Sequence, residues 1–127
     1  EVIPACAEFG LGMLPYFPLA SGLLTGKYQR GEPPPQGTRL EAWGERGAAA
    51  LSDANFDVVD KLAAFAEARG HTLLELAMSW LACQPTVSSV IAGATSPEQV
   101  AANAAAGQWQ LTDDELAKAG EAAGGRG

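Results

Sequence analysis

Two short stretches carry residue types and spacings suited to holding an anion. The first, Pro18-Leu-Ala-Ser-Gly-Leu-Leu-Thr-Gly-Lys27, follows an apolar run and combines glycines, hydroxyls and a lysine. The second, Ala92-Gly-Ala-Thr-Ser96, follows a β-branched run and leads into Pro97-Glu-Gln99. Ser96 followed by Pro97 marks a helix start. Free N–H groups and a partial positive charge make such a start attractive to phosphate, and a glycine lets the backbone come close. Gln99 and Asn103 are spaced i, i+4, so they share one helical face, with Thr95 just ahead of it. One ligand could therefore touch Gly93, Thr95, Gln99 and Asn103. The same residues admit an account without a ligand. Ser96 and Gln99 have capping-box spacing, Lys27 alone is an ordinary solvated lysine, and Tyr16 on a buried strand is an ordinary core aromatic.

The elements that must position these residues alternate between strand and helix. Gly12 to Phe17 reads as a buried strand, although Pro15 removes one ladder donor. Val87 to Ile91 reads as a second strand because it is β-branched. Between them, residues 29–52 form a long excursion rich in Gly, Pro and charge, with a helical turn near Trp43; loops of that length are usually functional or mobile. A helix capped by Asp53 or Asn55 presents Phe56, Val59, Leu62, Ala63 and Ala66 on one face and stops at Gly70. Thr72 and Glu75 form a capping box for a helix reaching about Cys83, with Trp80 in the core and Pro85 ending it. A helix from Pro97 runs to about Ala106, and Thr112 to Glu115 opens a last one. Gly124 to Gly127 reads as a frayed tail, and His71 as a surface residue in a turn. Trp43 is a candidate border of a substrate pocket. Gly10-Leu-Gly12 is not a dinucleotide fingerprint, because Pro15 stands where the third glycine is needed and the glycines precede the strand. The pattern predicts an α/β fold with parallel strands.

Composition narrows the function classes. The 127 residues carry a net charge of −7, which argues against a general nucleic-acid or anionic-membrane surface but permits a local anion site. Cys6 and Cys83 lie in no CxxC or zinc pattern and are expected as buried, reduced thiols. Glu1-Val-Ile-Pro has no basic n-region or apolar signal core. The longest apolar stretch, Thr72 to Ala94, is interrupted by Glu75, Gln84 and Pro85, so no membrane span is expected. A cytoplasmic location follows as the default.

Four motifs in order carry a family resemblance. Phe17-Pro-Leu-Ala-Ser-Gly-Leu-Leu-Thr-Gly-Lys-Tyr28 is similar to the seventh-strand loop of aldo-keto reductases. Leu73-Leu-Glu-Leu-Ala-Met-Ser-Trp80 resembles their helix before strand eight. Val90-Ile-Ala-Gly-Ala-Thr-Ser-Pro-Glu-Gln-Val-Ala-Ala-Asn103 resembles the eighth strand with its helix, and Leu111-Thr-Asp-Asp-Glu-Leu116 the closing helix. The resemblance implies an incomplete barrel, the C-terminal portion of a (β/α)8 TIM barrel over residues 1–127, since a whole one needs about 250 residues. It also implies that 29–52 lies over the active-site face.

The resemblance further implies NADP binding, with NAD possible. Tyr16 would stack on the nicotinamide. Pro18, Leu19, Ala20 and Ser21 would supply backbone and hydroxyl contacts, and Lys27 a charge for phosphate. Arg39 would reach the cofactor, while Gly93, Thr95, Gln99 and Asn103 would face the adenosine 2′-phosphate and adenine. Phe17, Thr95 and Ala102 depart from residues common in relatives, Ser, Arg or Ser, and Glu respectively. The implied reaction is hydride transfer to an aldehyde or ketone. The family's catalytic Asp, Tyr, Lys and His come from earlier strands; Tyr16, Lys27, His71 and Asp53 do not match them, so no catalytic residue is expected here. Two alternatives are a cofactor-binding subunit that serves a protein partner and an inactive fragment. Unpaired strand edges would favour self-association.

Overall fold

The computed structural model describes residues 1–125. Of the expected frayed tail, Arg126 and Gly127 lie outside the described residues. The elements are α1 (Val2–Glu8), a 3-10 segment (Ala20–Thr25), α2 (Arg39–Ala42), α3 (Glu45–Ala50), α4 (Asp53–Glu67), α5 (Leu73–Ala82), α6 (Pro97–Ala106) and α7 (Asp113–Ala122).

The helix ends follow local chemistry. Ser52, rather than Asp53 or Asn55, caps α4: its Oγ accepts from the Asn55 N–H at 3.4 Å. Asn55 instead donates from Nδ2 to the Ala50 carbonyl at 2.8 Å, which ties α4 to the end of α3. Gly70 adopts φ +77° and lets the His71 N–H return to the Ala66 carbonyl at 3.0 Å, closing α4 as expected. Thr72 and Glu75 form the reciprocal box on α5, with the Thr72 N–H donating to Glu75 Oε2 at 2.6 Å. Thr112 and Glu115 repeat it on α7 at 2.9 Å.

The main core lies among α4, α5 and α7. Ala66, Leu76, Leu111 and Ala119 are buried there, with Leu62, Phe65 and Trp80 packed around them. Burial dictates how the polar groups pair. Ser79, fully buried, donates from Oγ to the Ala106 carbonyl at 2.7 Å and accepts from the Trp109 N–H at 3.1 Å. The Trp80 indole N–H donates to the Leu116 carbonyl at 3.0 Å. These bonds lock α5 to the end of α6 and to α7. His71 is a half-buried turn residue stacked on Trp109, with centroids 3.9 Å apart.

A second core of Tyr28, Leu40 and Phe56 seats the 29–52 excursion on α4. The excursion is more ordered than the composition suggested, because it contains α2 and α3. Thr38 caps α2 by accepting from the Glu41 N–H at 3.3 Å. Gly47 packs against the Leu40 carbonyl so closely that a side chain there would overlap it.

The two expected strands are corrected to one bridge. Among the described residues there is no strand ladder, only a parallel bridge between Met13 and Val87. It is made by the Met13 N–H donating to the Thr86 carbonyl at 2.7 Å and the Ser88 N–H donating to the Met13 carbonyl at 2.9 Å. The physical reason lies in supply. Parallel strands extend when neighbours cover them on both sides, and here each has one neighbour. Pro15 lacks a donor, and Phe17 at φ +55° leaves β geometry. Leu14, Tyr16 and Ile91 consequently stand exposed.

The capping boxes generate a stability prediction. The Thr72 backbone N–H first, and the Thr72 hydroxyl and His71 after it, hold the Glu75 carboxyl below its ordinary value of 4.5. A depressed folded value contributes stability above the ordinary value and loses it as pH falls below about 4.5 and through the folded value. Thr72→Ala should destabilise α5 by about 1 kcal/mol at neutral pH. Hydrogen exchange of the α5 amides checks this: the variant exchanges faster at pH 7, and the gap from wild type narrows toward pH 3.

Candidate functional site

The first junction is a strained turn. Phe17, Ala20 and Ser21 take φ of +55°, +47° and +59°, and Gly22 takes +95°. Non-glycine residues held there cost about 1–3 kcal/mol each and cluster at functional sites. The turn folds onto its own lysine. A Cβ on Gly22 would come within 2.6 Å of Lys27 Cε and 2.8 Å of Nζ, which the lysine tip could relieve by swinging aside; φ +95° is what calls for glycine. Lys27 Nζ lies 5.1 Å from the Tyr28 ring centre, and the Tyr28 hydroxyl donates to the Ser21 carbonyl at 3.3 Å. Leu19 contributes its carbonyl to the Gly22 and Leu24 N–H groups. Pro18 faces elsewhere, into an apolar cleft of 740 Å³ shared with Leu24, Leu76, Trp80 and Leu116. That cleft includes none of Gly93, Thr95, Gln99 or Asn103.

The second junction draws its four candidates together. Gln99 Oε1 accepts from the Thr95 N–H at 2.8 Å and the Thr95 hydroxyl at 3.2 Å. Asn103 Nδ2 donates to the Gly93 carbonyl at 3.4 Å. Ser96 caps α6 by accepting from the Gln99 N–H at 3.3 Å. Gln99 thus reaches back to Thr95, one residue before the partner that a capping box would use. The Glu98 carboxyl is held below its ordinary value by its own backbone N–H and then by Ser96. Donors at this helix start are therefore already engaged, and an arriving anion has to displace them.

Arg39 connects the two junctions. Its Nη2 lies 3.8 Å from the place a Cβ on Gly93 would take, and its guanidinium lies 5.5 Å from the Phe17 ring centre. Phe17 in turn packs on Tyr16 at 4.1 Å and on Trp43 at 5.8 Å. Tyr16 is 87 % exposed, so the expectation of a buried strand aromatic is overturned. The site that forms holds Tyr16, Arg39, Gly93, Thr95, Gln99 and Asn103. Lys27 and Ser21 stand in a group of their own, with no hydrogen bond or ion pair to these among the described residues.

One structural residue escaped the sequence reading. Arg30 donates to Asp57 at 2.9 Å, to Asp60 at 2.7 Å, and to both the carboxylate and the carbonyl of Asp53. Asp60 first, then Asp57, hold its charge more firmly than usual. This network fastens the start of the excursion to α4. Acidic residues at 53, 57 and 60 fall on one helical face, and that pattern signals a counter-charge from elsewhere. Among the described residues no group of three or more His, Cys, Asp or Glu could hold a metal ion, and no helix is long and apolar enough to cross a membrane. Cys6 and Cys83 are free and half-buried, not fully enclosed.

Comparison with known proteins identifies the class to which this arrangement belongs. A family model described as "Aldo/keto reductase family" matches residues 1–123. A "Probable voltage-gated potassium channel subunit beta" of Oryza sativa subsp. japonica is 39 % identical over 104 residues, covering 81 % of this chain and 32 % of that protein. An "L-glyceraldehyde 3-phosphate reductase" of Escherichia coli O157:H7 is 36 % identical over 112 residues, covering 86 % and 32 %. An "NADH-specific methylglyoxal reductase" of Escherichia coli (strain K12) is 32 % identical over 116 residues, covering 89 % and 34 %. The chain belongs to the aldo/keto reductase family, an oxidoreductase family that implies a (β/α)8 barrel. It spans about a third of the length of these relatives.

The Arg30 network makes a testable demand. Arg30→Gln leaves three carboxylates on one face of α4 without their cation. Residues 29–50 should then exchange hydrogen faster, while the Ser79-centred core is unchanged. Raising salt should move the wild type toward the variant, because exposed ion pairs are screened. Equal exchange in both proteins at low salt would refute the role.

Proposed function

We propose that this chain is the cofactor-binding, C-terminal portion of an NADP(H)-dependent carbonyl reductase barrel. The observation that carries the reading is Arg39, which lies beside Gly93 of one anion-suited segment and on the Phe17 ring just ahead of the other. The residues suit such a cofactor: Arg39 has no carboxylate partner among the described residues, and Gly93 leaves an open approach. When bound, the cofactor supplies the hydride taken up by an aldehyde or ketone carbon.

Each residue then has a task. Arg39 and Lys27 hold phosphate charge, with Arg39 able to pair two oxygens through its planar fork. Ser21 and the backbone of Pro18, Leu19 and Ala20 follow the pyrophosphate. Tyr16 offers an exposed ring to the nicotinamide. Thr95, Gln99 and Asn103 exchange their internal hydrogen bonds for the adenosine end, and Gly93 gives the backbone room. The excursion 29–52 covers the active-site face. NADP is favoured over NAD because Arg39, beside Gly93, adds positive charge at the adenosine end, although the methylglyoxal-reducing relative is named NADH-specific. The proton donor comes from outside this chain, since Tyr16 and Lys27 are committed to the cofactor. A cytoplasmic setting accords with this chemistry. A second reading, a cofactor-holding subunit that serves a protein partner, is favoured by the potassium channel subunits among the relatives.

In the full-length protein, Arg39→Ala, Lys27→Ala and Gln99→Ala should each weaken NADPH binding by about 1–3 kcal/mol. NADPH fluorescence titration checks this; unchanged affinity in all three would leave Gln99 a helix cap and Lys27 a loop brace. Turnover of a simple aldehyde separates the reductase from the partner-binding subunit.

The isolated 127-residue chain is expected to be inactive and self-associating. Val2, Ile3, Phe9, Leu11, Leu14 and Ile91 are all exposed, and the single bridge leaves both outer edges open. Light scattering that reports a monodisperse monomer, or carbonyl-dependent NADPH loss, would contradict this.

A further inference from the structure

Of the Lys and Arg side chains among the described residues, three are ion-paired and four, Lys27, Arg39, Arg46 and Lys61, are not. Arg30, Arg69 and Lys118 each sit in ion pairs. Arg39 and Arg46 have no carboxylate partner among the described residues, although acids outnumber Lys and Arg by 15 to 8. Both guanidiniums lie on aromatic rings instead. Arg46 is 5.3 Å from the Trp43 ring centre and Arg39 is 5.5 Å from that of Phe17. Stacking holds a guanidinium in place while its in-plane N–H groups stay open to an oxyanion. The rings form a connected series, Tyr16 to Phe17 to Trp43, with Arg46 at its far end.

Trp43 is held firmly. It terminates α2, its N–H donates to the Leu40 carbonyl at 3.2 Å, and Gly44 turns the chain at φ +56°. Leu40 is fully buried, and Gly47 packs against its carbonyl. A tight corner anchored in the core therefore presents the indole, and Arg46 lies on it.

We propose that Trp43 and Arg46 form a substrate-selecting wall for planar carbonyl compounds that carry an anionic group. The part of the indole that Arg46, Phe17 and the second core leave open receives the ring, and Arg46 pairs with the anion. Arg39, beside Gly93, is left to the cofactor. The inference rests on the reductase reading for the reaction, because that reading sets the nicotinamide at Tyr16, two rings away. Carboxylate and phosphate share the chemistry Arg46 recognises, and the experiment separates them.

The test uses the full-length protein. Calorimetry without cofactor compares benzyl alcohol, 4-(hydroxymethyl)benzoate and 4-(hydroxymethyl)phenyl phosphate. Wild type should bind at least one anion about tenfold more tightly than the neutral alcohol, the scale of one charge-assisted bond. The stronger of the two anions identifies the group the wall prefers. Arg46→Gln should abolish the ratio and leave NADPH affinity unchanged; Trp43→Leu should weaken all three ligands. With NADPH, Arg46→Gln should raise KM for the corresponding anionic aldehyde about tenfold, with kcat and the KM for benzaldehyde little changed. Equal binding of anions and neutral alcohol by wild type, or an undiminished ratio in Arg46→Gln, would overturn the proposal. A binding ratio without turnover of any aldehyde would sink the reductase reading and leave the wall standing. Turnover without the ratio would sink the wall alone.

Discussion

Both loops of the candidate site depend on two hydrogen bonds at one residue. Met13 donates to the Thr86 carbonyl and accepts from the Ser88 N–H. Because the pairing is parallel, the chain leaves both segments in the same direction. The strained turn at Phe17–Gly22 and the Gly93–Ser96 approach to α6 are thereby set on a common side. Arg39 can then meet Gly93 and Phe17 together. Without that register the two anion-suited stretches would be unrelated pieces of loop.

The helices serve this arrangement at two levels. The Ser79 hydroxyl satisfies a carbonyl and an N–H inside a dry core, so α5, α6 and α7 hold together by directed bonds as well as by apolar contact. The excursion is seated separately, by Tyr28, Leu40 and Phe56 within and Arg30 on the outside. Arg39 therefore rides on an excursion that packs on α4 through Phe56 and on the 3-10 segment through Leu23.

What the sequence made legible was mainly local. Caps at Thr72, Ser96 and Thr112 could be read because their partners lie three residues away, as could the grouping of Thr95, Gln99 and Asn103 on one turn. Residue order and the four motifs led to the family. The strands were read from apolar runs, but a run does not tell whether neighbours exist to complete a ladder, so Leu14, Tyr16 and Ile91 proved exposed. The helical turn near Trp43 was expected and is α2, whereas the short α1 and α3 were not foreseen. Helices this short offer little periodicity, although Thr38 with Glu41 was a usable capping signal for α2. Arg30 and its three aspartates are 23 to 30 residues apart, beyond any local rule.

Gly12 meets Ser88 beside the bridge, and a side chain on Gly12 would overlap the Ser88 Oγ and crowd its Cβ. The pair is therefore a volume shared between two positions far apart in the chain. In evolutionary terms such a pair has one shared allowance of atoms, so a larger residue at one position calls for a turned or smaller side chain at the other.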